Sequence, residues 1–269
     1  MRPGFPAGGV PVTGAEPAQK PCAVVPVFDH GAAVGDVVRG LRATGLPCIV
    51  VDDGSGPACA QILDDLARSL PGVTLVRRPR NGGKGAAVSD GLRTAQAAGF
   101  THALQVDADG QHDLNDVPRF LAESAAWPGC VICGQPAFDA SIPRLRYYLR
   151  YLTHVLVWLN TLSFDIVDSM CGFRIYPLPA LIALLDGEAL GSRMDFDIEV
   201  LVWLHWRGAC MRWVPTRVRY PADGISHFRM VLDNVLITRL HARLFLGMLL
   251  RLPSIAARRL ALRNRTSHA

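Results

Sequence analysis

Lysine is nearly missing from this chain of 269 residues: Lys20 and Lys84 stand alone against 26 arginines. Acid is missing from one end. From Asn234 to Ala269 there are seven arginines and no Asp or Glu, which leaves residues 1–233 at a formal net charge of −2. A body of that charge offers no broad electrostatic footprint for nucleic acid, whereas Leu interleaved with Arg in the tail suits an anionic membrane surface. The expected partner is a membrane surface and not nucleic acid. Long hydrophobic runs are also missing: the apolar stretch without a charged residue from Tyr151 to Phe164 has fourteen residues, and a spanning helix needs about twenty. The chain is therefore expected to touch a membrane without crossing it. No disulfide framework is visible in the seven cysteines, at positions 22, 48, 59, 130, 133, 171 and 210. No signal-peptide pattern opens the chain, so a reducing, cytoplasmic setting is expected. Cys130 and Cys133 have the C-x-x-C spacing of half a zinc or redox site. They lie in the apolar run Gly129–Gly134, which reads as a strand, where residues three apart point to opposite faces. Two separate core residues are expected there.

What is present is the composition of a folded protein, 50% hydrophobic and 19% charged, and one large domain with appendages is the default. Residues 1–20 are a Pro- and Gly-rich leader without apolar periodicity. From Cys22 onward, short apolar runs (Cys22–Phe28, Cys48–Val51, Val73–Val76, Ala103–Val106) alternate with amphipathic segments (Ala32–Ala43, Cys59–Leu70, Gly85–Ala98, Val117–Ala125). That alternation predicts a parallel sheet with helices on its faces. The second half is less regular, with helices predicted at Arg144–Leu162 and Phe196–Trp206, strands at Phe173–Pro177 and Met211–Tyr220, and an amphipathic helix from about Phe228.

Ligands of such sheets sit beyond the carboxyl ends of the strands. Asp107-Ala108-Asp109 follows the fourth apolar run and places two carboxylates at one turn, with Gln111 adding a neutral oxygen. Mg²⁺ or Mn²⁺ is commonly held by one or two carboxylates and completed by water and phosphate oxygens, so the arrangement implies a diphosphate substrate. Alone, a D-x-D reads equally well as a solvated turn. Asp52-Asp53 ends an earlier strand, where a carboxylate can bond a ribose or a base. Asn81-Gly82-Gly83-Lys84-Gly85 opens a helix with backbone N–H groups and a cation suited to an anion, although an exposed Lys in a helix cap would look the same.

These segments resemble, together and in this order, the family 2 glycosyltransferases of GT-A fold, above all the polyprenyl- and dolichyl-phosphate sugar transferases. The resemblance covers about residues 22–230. It is carried by Val24-Val25-Pro26-Val27-Phe28, Val50-Val51-Asp52-Asp53-Gly54-Ser55, Asn81-Gly82-Gly83-Lys84-Gly85-Ala86-Ala87, Asp107-Ala108-Asp109-Gly110-Gln111-His112 and Cys171-Gly172-Phe173-Arg174. It implies an α/β chain with a single GT-A, Rossmann-like domain at 21–228, its central sheet mostly parallel and covered by helices on both faces. The leader occupies 1–20 and a basic amphipathic helical tail 229–269. It further implies a UDP- or GDP-linked sugar donor bound near Pro26, Asp52, Asp53 and Lys84. Asp107, Asp109 and Gln111 would serve Mg²⁺ or Mn²⁺ and the diphosphate. The acceptor would be a lipid phosphate or another membrane-associated molecule, the product would be inverted, and the protein would work peripherally on the inner face of the cytoplasmic membrane.

Later segments extend the resemblance. Asp197, in Arg193-Met194-Asp195-Phe196-Asp197, matches the acidic position that supplies the catalytic base in many members, and an amphipathic helix with a charged face is the plain alternative. A phosphate acceptor is already ionised and needs no base, in which case Asp197 positions other groups. Arg174 is a candidate to hold a phosphate bidentately or to serve as a buried structural Arg. Ser226, His227 and Arg229 resemble the segment that closes over the diphosphate, and a capping Ser is the alternative. His112 reads as a solvated loop residue and is not counted as catalytic. Arg239, Arg243, Gly247 and Arg251 recur at four-residue intervals in the tail helix, giving a cationic stripe behind a wide apolar face. Packing of that face on Arg144–Leu162, or in a homodimer, competes with membrane contact. Two other functional classes deserve weight. Asp107-Ala108-Asp109-Gly110 resembles the nucleophile loop of haloacid-dehalogenase-like phosphatases, but it follows the fourth strand and lacks a downstream Lys. A non-catalytic scaffold subunit of a membrane biosynthetic complex would not need the intact carboxylates.

Overall fold

The computed structural model describes residues 18–138, 144–218 and 230–266. Seven strands, β1 (Pro21–Val27), β2 (Cys48–Asp52), β3 (Val73–Arg77), β4 (His102–Gln105), β5 (Cys130–Phe138), β6 (Arg174–Pro177) and β7 (Cys210–Val218), form one sheet in the order β3-β2-β1-β4-β6-β5-β7. Every strand runs parallel to its neighbours except β6, which is antiparallel to both β4 and β5. The first three connections are α1 (Gly31–Ala43), α2 (Pro57–Ser69) and α3 (Lys84–Ala97). α4 (Val117–Ala126) and α5 (Arg144–Thr161) flank β5, and α6 (Leu178–Gly187) and α7 (Phe196–Trp206) lead to β7. α8 (Met230–Thr266) ends the described chain.

The central strands read as continuous apolar runs because both faces of the sheet are covered. Alternation within them then sorts side chains into two layers. Cys22, Val24, Ile49, Val51, Val131 and Cys133 join residues of α3, α6, α7 and α8 on one face. Ala23, Val25, Val50, Leu104, Cys130 and Ile132 join α1, α2 and α4 on the other. The expected α/β architecture with helices on both faces and a C-terminal helix is therefore the observed one. α8 is anchored rather than free, since Leu240, Leu244 and Met248 are buried. The packing of the tail helix on the domain, weighed above against lipid contact, accounts for this one face of α8. No helix among the described residues is long and apolar enough to cross a membrane.

Cys130 and Cys133 do face opposite layers, as a strand requires. The expectation that no cysteines pair is corrected: Cys130 forms a disulfide with Cys210, their Cα atoms 4.6 Å apart. The cause is topological. β5 and β7 are parallel neighbours with Cys130 in register with Cys210, and a separation of 80 residues leaves no spacing pattern to read. The inference of a reducing setting from the cysteine count loses its premise with this pair.

Candidate functional site

The strand order reverses beside β1, whose neighbours β2 and β4 send their next connections to opposite sides, and this is where an open α/β sheet forms a crevice. Pro26 is buried at the end of β1, past the last β1–β4 pair, Val24 with Gln105, so its missing N–H breaks no bond to β4. At the end of β2, Asp52 and Asp53 are buried. Asp52 Oδ1 accepts from Ser55 N at 2.8 Å and Oδ2 from Arg77 Nε at 2.9 Å. Asp53 Oδ1 accepts from Gly82 N at 2.9 Å and from the Arg78 guanidinium, and Oδ2 accepts from Gly83 N at 2.8 Å. Every carboxylate oxygen of this pair thus already has a protein donor, and Asp53 in particular holds the glycine loop in place. Gly83 needs to be glycine twice over, because its φ is +98° and a Cβ would lie 2.6 Å from Ser192 O.

The loop delivers Lys84 to the first position of α3, where the helix dipole disfavours a cation. Two carboxylates offset this. Lys84 Nζ lies 2.7 Å and 2.8 Å from Asp107 Oδ1 and Oδ2, and 2.8 Å from Asp197 Oδ2. Asp197 sits in the first turn of α7, and its Oδ1 accepts from Gln105 Nε2 at 2.9 Å. Burial would lower the Lys84 pKa, but Asp107 and Asp197 more than offset it and hold the ammonium well above its ordinary range. Burial would raise Asp107, and Lys84 with His112 instead holds it well below the usual carboxylate range. The cluster pairs two acids with one ammonium, and the buried guanidinium of Arg174 lies against Asp197 as a second cation, so the four charges balance before Asp109 is counted. Gly172 closes over it: a Cβ there would lie 2.8 Å from Lys84 Nζ and 2.9 Å from Asp107 Oδ2.

Asp109 stands on the following turn, where its Oδ1 accepts from Gln111 N at 3.0 Å and Gly110 takes a φ of +72°. Asp107, Asp109 and Gln111 are thus brought to one turn at the edge of the cluster. No set of three or more His, Cys, Asp and Glu among the described residues forms a closed metal cage. Asp107 and Asp109, two partly exposed carboxylates one residue apart, fit a hard cation that takes its remaining ligands from water and substrate oxygens.

His112 is the residue that sequence reasoning missed. Instead of a solvated loop residue, the structure shows a ring only 7% exposed, stacked on Phe173 at 5.1 Å between centroids and 20° between planes. Its Nε2 is 3.7 Å from Asp107 Oδ2, and its Nδ1 has no hydrogen-bond partner among the described residues. Nothing in the order of residues links position 112 to 173; the adjacency of β4 and β6 brings the two segments together, and a β-bridge from His112 to Val218 of β7 holds the turn.

Arg174 takes the second of its two expected places, that of a buried structural arginine, and not the catalytic one. It is 0% exposed and donates to Asp197 O at 2.7 Å, Ser169 O at 2.8 Å and Tyr176 Oη at 3.2 Å. A side chain so enclosed does not meet a phosphate; it pins the start of α7 to β6, because the strand register turns residue 174 inward. Ser226, His227 and Arg229 lie outside the described residues.

With this geometry in view, the relatives can be compared. Residues 22–181, more than half of the chain, match the model of Glycosyl transferase family 2. The chain is a glycosyltransferase of family 2. This glycosyltransferase is 29% identical over 163 residues to a dolichyl-phosphate beta-glucosyltransferase of Trichomonas vaginalis, covering 57% of the chain and 47% of that relative. It is 28% identical over 170 residues to an undecaprenyl-phosphate 4-deoxy-4-formamido-L-arabinose transferase of Pseudomonas fluorescens, covering 60% and 48%. It therefore spans about half the length of these lipid-phosphate transferases. Among solved structures it resembles glucosyl-3-phosphoglycerate synthase of Mycobacterium tuberculosis, a complex with Mn²⁺, UDP-glucose and phosphoglyceric acid, at a TM-score of 0.63 and 14% identity, covering 86% of the chain and 79% of that structure. It also resembles a mannosyltransferase of Pyrobaculum calidifontis with GDP-mannose and Mn²⁺, at a TM-score of 0.53 and 16% identity, covering 94% and 76%. These likenesses establish the shared fold. Membership in the family also disposes of the phosphatase reading.

Proposed function

We propose that this glycosyltransferase moves a sugar from a UDP- or GDP-linked donor to a lipid phosphate at the inner membrane surface, with inversion at the anomeric carbon. The observation that carries the reading is the Asp107–Lys84–Asp197 cluster with Asp109 at its edge, two carboxylates one residue apart on a partly exposed turn beside the Lys84 ammonium. Asp107, Asp109 and Gln111 would hold Mg²⁺ or Mn²⁺. Such an ion, when bound, neutralises charge on the departing diphosphate. The relatives named as dolichyl- and undecaprenyl-phosphate transferases support the acceptor class, and the neighbours with Mn²⁺ and nucleotide sugars support the donor and the ion.

The reaction is one displacement. An acceptor phosphate oxygen forms a bond to the anomeric carbon, the bond from that carbon to the donor's β-phosphate oxygen breaks, and its electron pair leaves with the nucleoside diphosphate. An ionised phosphate needs no proton removed. This fits the position of Asp197, whose two oxygens are held by Gln105 and Lys84 instead of standing free as a base. Asp197 thus acts as an anchor that fixes Lys84, and Lys84 in turn fixes Asp107. Asp53 acts one shell further out, by holding the amides of Gly82 and Gly83.

The test is a transfer assay with radiolabelled UDP- and GDP-sugars and short-chain polyprenyl phosphate in detergent. Label in the organic phase, lost when the free polyprenol replaces its phosphate, is the expected result. Transfer to a sugar hydroxyl but not to the phosphate would contradict the acceptor assignment.

A further inference from the structure

Glu199 lies two residues beyond Asp197 on α7, hence about 200° round the helix, and looks away from the charge cluster toward α8. It accepts from Gly191 N at 2.7 Å and from Arg243 Nη2 of α8 at 2.6 Å. Beyond this pair, α7 and α8 enclose a groove of about 500 Å³. Its floor is Trp203 and Trp206. Gly247 leaves the room, since a Cβ there would lie 3.1 Å from Trp206 Cη2 and 3.3 Å from Arg251 Nη1. The Arg251 guanidinium lies over one face of each indole, at 4.5 Å and 4.8 Å from their centroids. On the outer rim, Leu246 is 63% and Leu250 83% exposed.

A site of this make-up selects its ligand by two chemistries at once. Arg243 and Arg251 stand one turn to either side of Gly247 and offer guanidinium N–H groups to an anion, Arg243 with its side chain 55% exposed. Glu199, the one acid in the groove, is already neutralised by Arg243. The indole N–H groups are already used, Trp203 Nε1 on Glu199 and Trp206 Nε1 on Asn160 O. The indole surface that Arg251 leaves open therefore offers, with Leu246 and Leu250, apolar area that a free anion would leave uncovered and a hydrocarbon chain would fill. Charge complementarity extends along the helix, for no acid follows Asp233 in the chain. We propose that this groove binds an anionic phospholipid, its headgroup between Arg243 and Arg251 and one acyl chain against Trp203, Trp206 and Leu250. The site is separate from that of donor and acceptor. It also lies one bond from the glycine loop, because Glu199 holds the amide of Gly191 in the segment that packs on Gly83.

The experiment uses the full chain with vesicles of phosphatidylcholine alone, the same vesicles containing phosphatidylglycerol, monomeric short-chain phosphatidylglycerol, and inorganic phosphate. The expected result is binding of both phosphatidylglycerol forms and neither of the others. Filling the groove with Gly247→Leu weakens binding by about tenfold, the loss of roughly two buried methylenes, and Arg251→Gln by about fivefold, the worth of one interfacial cation. Circular dichroism establishes that each variant is folded. A measurement on the unaltered groove guards against a misfolded variant: brominated acyl chains should quench tryptophan emission, and the quenching should vanish in Trp203→Phe/Trp206→Phe. Several results would overturn the proposal. One is vesicle binding unchanged by Gly247→Leu with no quenching, which would assign it to the arginine-rich end of α8 alone. Competition by inorganic phosphate as strong as by the short-chain lipid would reduce the site to a plain anion site. Equal binding of neutral vesicles would remove the headgroup role. A dimer broken by Gly247→Leu and indifferent to lipid would give the groove to a second copy of the chain.

Discussion

Lys84 Nζ lies 2.8 Å from Asp197 Oδ2, so a single buried ion pair joins the first turns of α3 and α7. The same ammonium holds both oxygens of Asp107 at the end of β4. Three elements that build the site thus share one cation, and its loss would leave Asp197 to Gln105 and Arg174 and Asp107 to His112.

Lys84→Met is accordingly expected to cost about 2–3 kcal/mol of stability, between the penalty for an exposed pair and that for a fully buried one, because the Lys84 and Asp107 side chains are 14% and 23% exposed. Denaturant unfolding measures it. The pair also fixes a pH dependence. Asp107 is held below its unfolded value of 3.8, so its contribution is complete above that pH and is lost as pH falls through the lower folded value. Lys84 is held above 10.5, so its contribution is complete below that pH and lost as pH rises through the higher folded value. Asp107→Asn should flatten the acid limb of the stability curve; an unchanged acid limb would count against the pairing.

Gly172→Ala places a methyl against Lys84 Nζ and Asp107 Oδ2, at 2.8 Å and 2.9 Å. Overpacking of this kind costs about 1–3 kcal/mol, here spent on displacing the carboxylate. The protein should stay folded by circular dichroism while donor binding weakens by about fivefold or more, fivefold corresponding to the lower end of that range. Full donor affinity in the Ala variant would show that the Lys84–Asp107 geometry does not matter to binding.

His241 of α8 is buried against α5, where Asn160 Nδ2 lies 3.1 Å from its Nδ1. Burial pushes its pKa down to about 4 from 6.5. The folded protein keeps this ring neutral where the unfolded chain protonates it, so stability falls as pH drops from 6.5 toward about 4. His241→Gln should remove that part of the slope. Unfolding midpoints at several pH values between those limits make the comparison, and parallel curves for the two proteins would refute it.

The Cys130–Cys210 bond closes a loop across 80 residues of sequence. Reduction, or Cys210→Ser, should therefore lower stability by about 2–4 kcal/mol while leaving donor binding intact, because both cysteines sit at the amino ends of β5 and β7, away from the strand ends that form the site. Thermal unfolding with and without reductant, beside donor titration, separates the two effects.

How far the sequence reads as structure follows from what each feature depends on. The alternation from Cys22 to Ala125 is a local property, and it foretold four parallel strands and the turns that follow them. α7 was legible at Phe196–Trp206 because eleven residues without Gly or Pro leave little else to form. The partner of Lys84 was not, since it rests on bringing positions 84, 107 and 197 together through three separate elements. Arg174 reads equally as a phosphate ligand or a structural arginine when only its charge is seen, and the register of β6, which turns it inward, decides for the buried brace. His112 gains its role from Phe173, a neighbour across the sheet, and the disulfide from two strands that meet only after folding.

The central claim is that the edge of the Asp107–Lys84–Asp197 cluster takes a divalent cation together with a nucleoside diphosphate. Calorimetric titration with UDP, GDP and their sugar conjugates, with and without Mn²⁺, on the wild-type chain and on Asp109→Ala, tests it most directly. The account predicts binding of one nucleotide class that requires the ion and is abolished by Asp109→Ala in a protein that remains folded. Binding of the nucleotide that is indifferent to Mn²⁺ and to that substitution, or no binding of any nucleotide by the folded wild type, would contradict it.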